Sequence, residues 1–490
     1  MTELSHADRR WIDTVIKPDE VEKYLRNGRD FVDEELIFGE LEANRNPDDS
    51  RVREIIAKSL ELERLDPSET AALLNCRNDE LWNEMFTAGL EIKRKVYGRR
   101  IVFFAPLYIS NYCVNNCAYC AFRRENTAVE RVRLTDEQIR DEVRALTARG
   151  HKRLIMVYGE HPTSGVDFIA DTLKVVYATK SGHNEIRRAN VNAAPLCTDD
   201  LRKLAEVGIG TFQVFQETYH HETYRKVHPP DTLKGNMLWR LYSLHRAMDA
   251  GVDDVGIGAL FGLYDYRFEV MALLLHTMDL EEHFGGVGPH TISFPRLEPA
   301  VNTPFTGNPA HVVDDETFKK LVAVIRLSVP YTGMILTARE PEKVRRDVIP
   351  VGITQLDAGS NIGVGCYSTD EREDEKEQFS LSDTRSLEEV ISDLVDLGMI
   401  TSFCTAGYRC GRTGHYFMDV AKSGKVHTLC MPNAILTFAE YLDDYASPET
   451  RRKGWELIRK ELSNLPGEEL RNKVAGLLER VREGERDIYL

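Results

Sequence analysis

The chain has 490 residues, of which 63 are basic and 79 acidic, and its formal charge of −16 repels a phosphate backbone and argues against a nucleic-acid partner. Charges interrupt the N-terminus where a signal peptide needs an apolar core, and no apolar run approaches the ~18 residues of a spanning helix. The expectation is a cytoplasmic protein with no membrane partner. Nine cysteines form an odd set that suits metal ligation plus a few buried thiols better than a disulfide framework.

Residues 1–98 read as a helical N-terminal extension, with helical spacing in VREIIAKSLELERL and a start signal at Asp66-Pro67-Ser68-Glu69 that opens one helical stretch from Thr70 to Gly98. From IVFFAP at 101 the texture changes to short apolar runs separated by amphipathic helices, the pattern of a parallel sheet built through crossovers. The first such helix has a capping box at Thr135 and Gln138, an apolar face of Ile139, Val143 and Leu146, and a stop at Gly150. With IVFFAP, the runs RLIMVY (153–158), IRRANVN (186–192), TFQVFQ (211–216), DVGIGALFG (254–262), HTISF (290–294), MILT (334–337) and ITQLDAG (353–359) predict an α/β fold, a complete (β/α)8 TIM-type barrel over 99–368. The acidic run 369–378 reads as a solvated loop. It opens a C-terminal extension, 369–490, with a helix at SLEEVISDLVDLG, a strand-like MITSF and three more cysteines.

In NYCVNNCAYCAF, Cys113, Cys117 and Cys120 fall in one tight loop directly after the first strand. Such a loop can wrap three thiolates around a [4Fe-4S] cubane and leave the fourth iron without a protein ligand. A structural zinc site instead wants four protein ligands, usually as two separated pairs.

The spacing, with Tyr119 immediately before the last cysteine, resembles the radical S-adenosylmethionine superfamily signature. That resemblance implies that the open iron chelates S-adenosyl-L-methionine, and that one electron breaks a sulfonium C–S bond to give a 5′-deoxyadenosyl radical. It points to Glu160, after Gly159 at the end of the second strand, as the contact of the methionyl amino group, unless Glu160 is a solvated strand-end carboxylate. Arg188, Asn192, Gln216 and Glu217 stand at strand ends where polar groups face a cofactor or form structural ion pairs.

The segments GHKRLIMVYGE, RRANVNAAP, GIGTFQVFQETYH, DDVGIGALFGLYDYRFEV, GPHTISFPRLEP, VPYTGMILTARE and GRTGHYFMDVAK are similar to the aromatic-amino-acid lyase branch, above all to the hydrogenase-maturation tyrosine-lyase family, over nearly the whole chain. The resemblance implies Cα–Cβ cleavage of L-tyrosine, or a close analogue, to dehydroglycine (2-iminoacetate) and p-cresol. It also implies a one-electron donor such as flavodoxin or ferredoxin, and maturation partners. The family's carboxylate-gripping arginine maps onto Arg339 in ILTARE, where the other reading is an ion pair with Glu340, and Thr337 adds a hydroxyl.

In that family the C-terminal extension holds a second cluster through a Cys-x2-Cys pair and a third cysteine, and converts dehydroglycine into carbon monoxide and cyanide. Here Cys404 and Cys430 align with the first and third ligands, Gly407 occupies the second, and Cys410 stands three residues on. A three-residue displacement moves a ligand by several ångströms, so the expectation divides between a rebuilt site on Cys404, Cys410 and Cys430 and an altered, partial or absent one. The family's labile iron is held by a histidine before Leu-Glu-Glu. Asp279 stands there, with His283 and His290 nearby, while Cys76 and Cys197 read as core or surface thiols and Cys366 as a spare thiol, either a lone buried residue or one that reaches one of the cluster sites. Two rival functions stay open: cluster-dependent group transfer on another substrate, and an iron–sulfur carrier without turnover.

Overall fold

The structure, a computed structural model, describes residues 4–369 and 376–490. Most of the acidic run 369–378 lies outside the described residues. Eight parallel strands follow one another around a closed barrel: β1 (Arg100–Ser110), β2 (Arg153–Tyr158), β3 (Arg188–Asn192), β4 (Phe212–Gln213), β5 (Val255–Gly258), β6 (Thr291–Ser293), β7 (Gly333–Leu336) and β8 (Gln355–Asp357), with β8 pairing back onto β1. All eight expected runs are strands, and the intervening sequence is mostly helical. This is the (β/α)8, TIM-type barrel that the alternation of apolar runs and amphipathic helices requires.

β1 has eleven residues, all buried, about twice the usual strand length. It therefore has room for a third partner. Its upper part pairs with β2 from Ala105↔Leu154 onward, Val102–Phe104 pair with β8, and its first residues pair in parallel with a ninth strand, β9 (Ile400–Ser402), from the expected MITSF segment. β9 draws the C-terminal extension onto the N-terminal end of the barrel. There the helix Val426–Asp444 is pinned by Glu440, whose carboxylate binds Arg187 at 2.6 Å and Lys152 at 3.0 Å, the residues just ahead of β3 and β2.

The N-terminal helices wrap the outside. The expected stretch from 70 to 98 is two helices, Pro67–Leu74 and Asp79–Tyr97, because Asn78 caps the second by accepting from the Glu80 amide. Asp66 and Glu69 do form a capping box, as do Thr135 with Gln138 and Ser386 with Glu389. The Asp79–Tyr97 helix lies flat on the barrel's outer layer: the Tyr97 hydroxyl donates to the Tyr331 carbonyl at 2.6 Å, and Lys93 reaches the Ile349 carbonyl at 3.1 Å. Among the described residues no helix is long and apolar enough to cross a membrane.

Candidate active site and the second cysteine site

The loop after β1 is built by backbone hydrogen bonds to its neighbours. Gly159 N donates to Ser110 O (2.8 Å), Val114 N to Glu160 O (2.8 Å) and Ala118 N to Val227 O (3.0 Å). A Cβ at Gly159 would stand 2.1 Å from the Tyr112 carbonyl, so only glycine lets β2 end this close to the loop. From the far side the Arg131 guanidinium donates to the carbonyls of Asn111, Phe122, Arg123 and Asn126. With these ties the side chains of Cys113, Cys117 and Cys120 line one cavity at the C-terminal end of the barrel. No fourth thiol and no imidazole shares the lining among the described residues. Burial pushes the Cys113 thiol up to about 11 and the Cys117 thiol further, so these two carry thiolate charge at neutral pH only when a metal takes it up. Three converging sulfurs and no fourth ligand fit a cubane with one open iron.

Two carboxylates and two cations form the floor beside the triad. Glu160 accepts from Asn115 Nδ2 at 2.6 Å and from Arg240 Nη1 at 2.8 Å. Glu217 accepts from Lys234 Nζ at 2.8 Å, with Arg240 Nη2 at 3.7 Å. Burial alone would raise the Glu217 pKa, but Lys234 and Arg240 outweigh it and hold the carboxyl below its ordinary range. Glu217 has φ +72, a conformation uncommon for a side chain of this kind. It is locked there by Leu260 N donating to the Glu217 carbonyl at 2.7 Å. Tyr119 does not offer its hydroxyl to the cavity: it is hydrogen-bonded to His228 Nε2 at 2.7 Å, which makes it a buttress of the loop. Lys234 and Arg240 are absent from the sequence reading. They sit in a three-residue turn, Leu233–Gly235, and a five-residue helix, Met237–Leu241, too short to show periodicity.

Across the cavity Arg339 lies with its guanidinium 3.4 Å from the centre of the Phe379 ring, and its one close hydrogen bond runs from Nη1 to the Arg296 carbonyl at 3.4 Å. The alternative of an ion pair with Glu340 is not realised, since Glu340 is fully occupied by Arg296. Among the described residues no carboxylate lies within ion-pair distance of Arg339. Thr337 and Asn192 line the same space, and the Thr337 hydroxyl is buried without a partner.

Residues 107–274 match the radical SAM superfamily, and residues 293–400 match the Biotin and Thiamin Synthesis associated domain. The chain is 30% identical to 2-iminoacetate synthase of Escherichia coli (strain K12) over 351 residues, which is 70% of this chain and 88% of that protein. The crystal structure of HydG, a maturase of the [FeFe]-hydrogenase, superposes with a TM-score of 0.90 at 48% identity, covering 94% of this chain and 100% of that one. HydG from Carboxydothermus hydrogenoformans gives 0.78 at 38% identity over 97% and 100%. The chain belongs to the radical SAM superfamily. The cofactors of this radical SAM family are a [4Fe-4S] cluster and S-adenosyl-L-methionine, and the triad cavity has the donor set for the first and charged partners for the second.

The second group of cysteines in this radical SAM chain lies at the other end of β1, a strand about 33 Å long at ~3.3 Å per residue. Cys404, at φ +50, closes β9 against Arg188 (Nη1 to Sγ 3.9 Å) and Arg100. Burial would raise its pKa, but Arg188, Arg100 and Arg153 outweigh this and hold the thiol below its ordinary value. Cys430 shares Arg100, and burial pushes it up. Cys410 is exposed on the 408–410 turn, its sulfur 3.8 Å from the Leu490 carbonyl. Two half-buried thiols and one exposed thiol do not form a ready three-thiolate site for a second cluster.

Arg188 is a correction to the sequence reading. It opens β3 instead of closing it, binds Asp254 at 2.5 Å, and faces Cys404, so the structure does not bring it to the triad. Asn192, four residues on, does line the cavity. Asp279 lies on the helix Tyr266–His283, against His245 and Arg26, both at 2.8 Å. It is His290 that joins the charge network at the Cys404 end, 3.6 Å from Asp254, and burial pulls its pKa down to about 4. Cys366 is buried, with its sulfur 3.7 Å from the Val364 carbonyl.

Proposed function

We propose that the chain is a carbon–carbon lyase that opens L-tyrosine at Cα–Cβ to 2-iminoacetate and p-cresol, drawing single electrons from a donor such as flavodoxin or ferredoxin. In this reading Cys113, Cys117 and Cys120 hold the cluster, which with S-adenosylmethionine supplies a hydrogen-abstracting 5′-deoxyadenosyl radical. Glu160, with Asn115 and Arg240 fixing its two oxygens, receives the methionyl ammonium. Glu217, braced by Lys234, offers a carboxylate to hydroxyl groups, and Asn192 adds an amide. Arg339 and Thr337 grip the amino-acid carboxylate, while Ile155, Val157, Ile335 and Leu381 keep the cavity dry. The similarity to 2-iminoacetate synthase and to HydG supports the substrate class.

The observation that carries the reading is Arg339: a cavity-lining guanidinium with an aromatic brace and, among the described residues, no carboxylate at ion-pair distance, which a substrate carboxylate completes. Arg339→Lys keeps the charge and loses the planar two-point donor. It is expected to raise the KM for tyrosine roughly tenfold to a hundredfold, the equivalent of one charged hydrogen bond, while leaving substrate-free cleavage of S-adenosylmethionine unchanged. Equal kinetics in the two proteins would remove Arg339 from the substrate site.

The extension favours a limit on this function. With Gly407 in place of a ligand and Cys410 turned to the surface, we infer that 2-iminoacetate leaves without conversion to carbon monoxide and cyanide.

A further inference from the structure

Gln378 stands 258 positions from Cys120 in the chain, yet its amide Nε2 lies 3.5 Å from Cys120 Sγ. The same amide accepts, through Oε1, from the Tyr108 hydroxyl at 2.9 Å, and the Gln378 carbonyl accepts from the Ala121 amide at 3.3 Å. Backbone and side chain are thus both tied to the cysteine loop and to β1. The residue belongs to the segment that follows the barrel's last strand, where Ser380 N donates to the Pro299 carbonyl at 2.9 Å. A Tyr hydroxyl can face either end of an amide, so Tyr108 alone does not orient it. Cys120 does. Turned the other way, the amide would set oxygen lone pairs against a thiolate, whereas as placed it offers an N–H.

Cys113 has a comparable neighbour, Asn115 Nδ2 at 3.6 Å, but that nitrogen also donates to Glu160 at 2.6 Å. Gln378 has no such second duty on its nitrogen among the described hydrogen bonds. At the other end of the chain of contacts Tyr108 lines the cavity, and the Arg339 charge acts on its hydroxyl. Tyr108, Gln378 and Cys120 therefore form one hydrogen-bonded row that begins in the substrate pocket and ends at the sulfur.

We propose that Gln378 is a positioning residue of the radical SAM site, donating an N–H···S hydrogen bond to the Cys120 thiolate and raising the reduction potential of the cluster that Cys120 holds. The proposal rests on the triad reading above. The physical reason is charge: one added electron makes the cluster and its thiolates more negative, and a fixed donor at a ligand sulfur stabilises that state more than the oxidised one. Tyr108 holds the amide in register, so the bond's cost in side-chain freedom is met by the fold before the cluster arrives.

The test uses the full-length, reconstituted protein and two variants, with iron and sulfide per chain measured first. Gln378→Met keeps length and removes the donor. Gln378→Glu keeps shape and replaces the donor with an acceptor. Potentiometric titration followed by electron paramagnetic resonance should give midpoints that fall in the order wild type, Met, Glu, with altered g-values for the reduced cluster. Equal midpoints and g-values in three fully loaded proteins overturn the proposal. Should the 378 variants fail to hold iron, Tyr108→Phe reads the same contact with Gln378 in place, and the expectation is a smaller shift in the same direction. An unchanged midpoint there also overturns it. A wild-type cluster signal that survives Cys120→Ala would instead overturn the triad reading, and this proposal with it.

Discussion

At the scale of single residues, charge compensation recurs wherever the fold must hold the cysteine loop. His221 opens the helix His221–Val227, and its ring meets Asp30 Oδ2 at 3.0 Å and Glu34 Oε1 at 2.7 Å. The Asp30 hydrogen bond is the largest influence, and with Glu34 it outweighs burial and raises the His221 pKa above its ordinary value. The other end of this short helix receives the cysteine loop through Val227 O. A raised histidine favours folding fully below its unfolded pKa and loses that contribution as pH rises through the folded value. The melting temperature of the wild type should therefore fall between about pH 6 and 8 more steeply than that of His221→Gln, whose side chain does not titrate. Parallel slopes in the two proteins would show that the Asp30–His221–Glu34 contact is not a stabilising ion pair.

Among elements, β1 organises the chain. Its C-terminal end leads into the triad and its N-terminal end meets Cys404, so the two cysteine groups share one strand but not one cavity. Beside the pairing of β9 with β1, the Glu440 contact on the helix Val426–Asp444 fixes the extension to the barrel. Burial would raise this carboxyl, yet Arg187 and Lys152 hold it at about 2. The depressed value means a stabilising contribution present above the ordinary carboxylate pKa and lost as pH falls toward 2. Glu440→Gln leaves the buried Lys152 without its ion-pair partner and takes the closest carboxylate from Arg187, which keeps Asp487 at 3.3 Å and Glu185 at 3.6 Å. Urea denaturation should register a loss of about 3–5 kcal/mol, as for a buried pair broken on one side. A loss below about 1 kcal/mol would mean that the three groups behave as a solvent-screened surface contact.

For the whole molecule, what could be read in advance was whatever repeats or packs tightly along the chain. The eight barrel strands are apolar runs of strand length. Two helix starts, at Asp66 and Thr135, carry their capping residues in the sequence, and the triad is a local pattern in eight residues. What could not be read was assembled across distance or by direction. Gln378 reaches Cys120 from a segment 258 positions away. Lys234 and Arg240 gain meaning only when folding sets them between Glu160 and Glu217. Arg188 went to the wrong end of the barrel because a short run such as IRRANVN shows that a strand exists but not which of its polar residues opens it. The continuous helix expected after Asp66 failed at Asn75–Asn78, where side-chain capping competes with helix propagation. The central claim concerns the upper cavity, and product analysis reaches it directly. Reconstituted protein is incubated anaerobically with L-tyrosine, S-adenosylmethionine and dithionite, and the products are separated by chromatography. The account predicts that p-cresol and 5′-deoxyadenosine accumulate together in equal amounts; 5′-deoxyadenosine without p-cresol would contradict it.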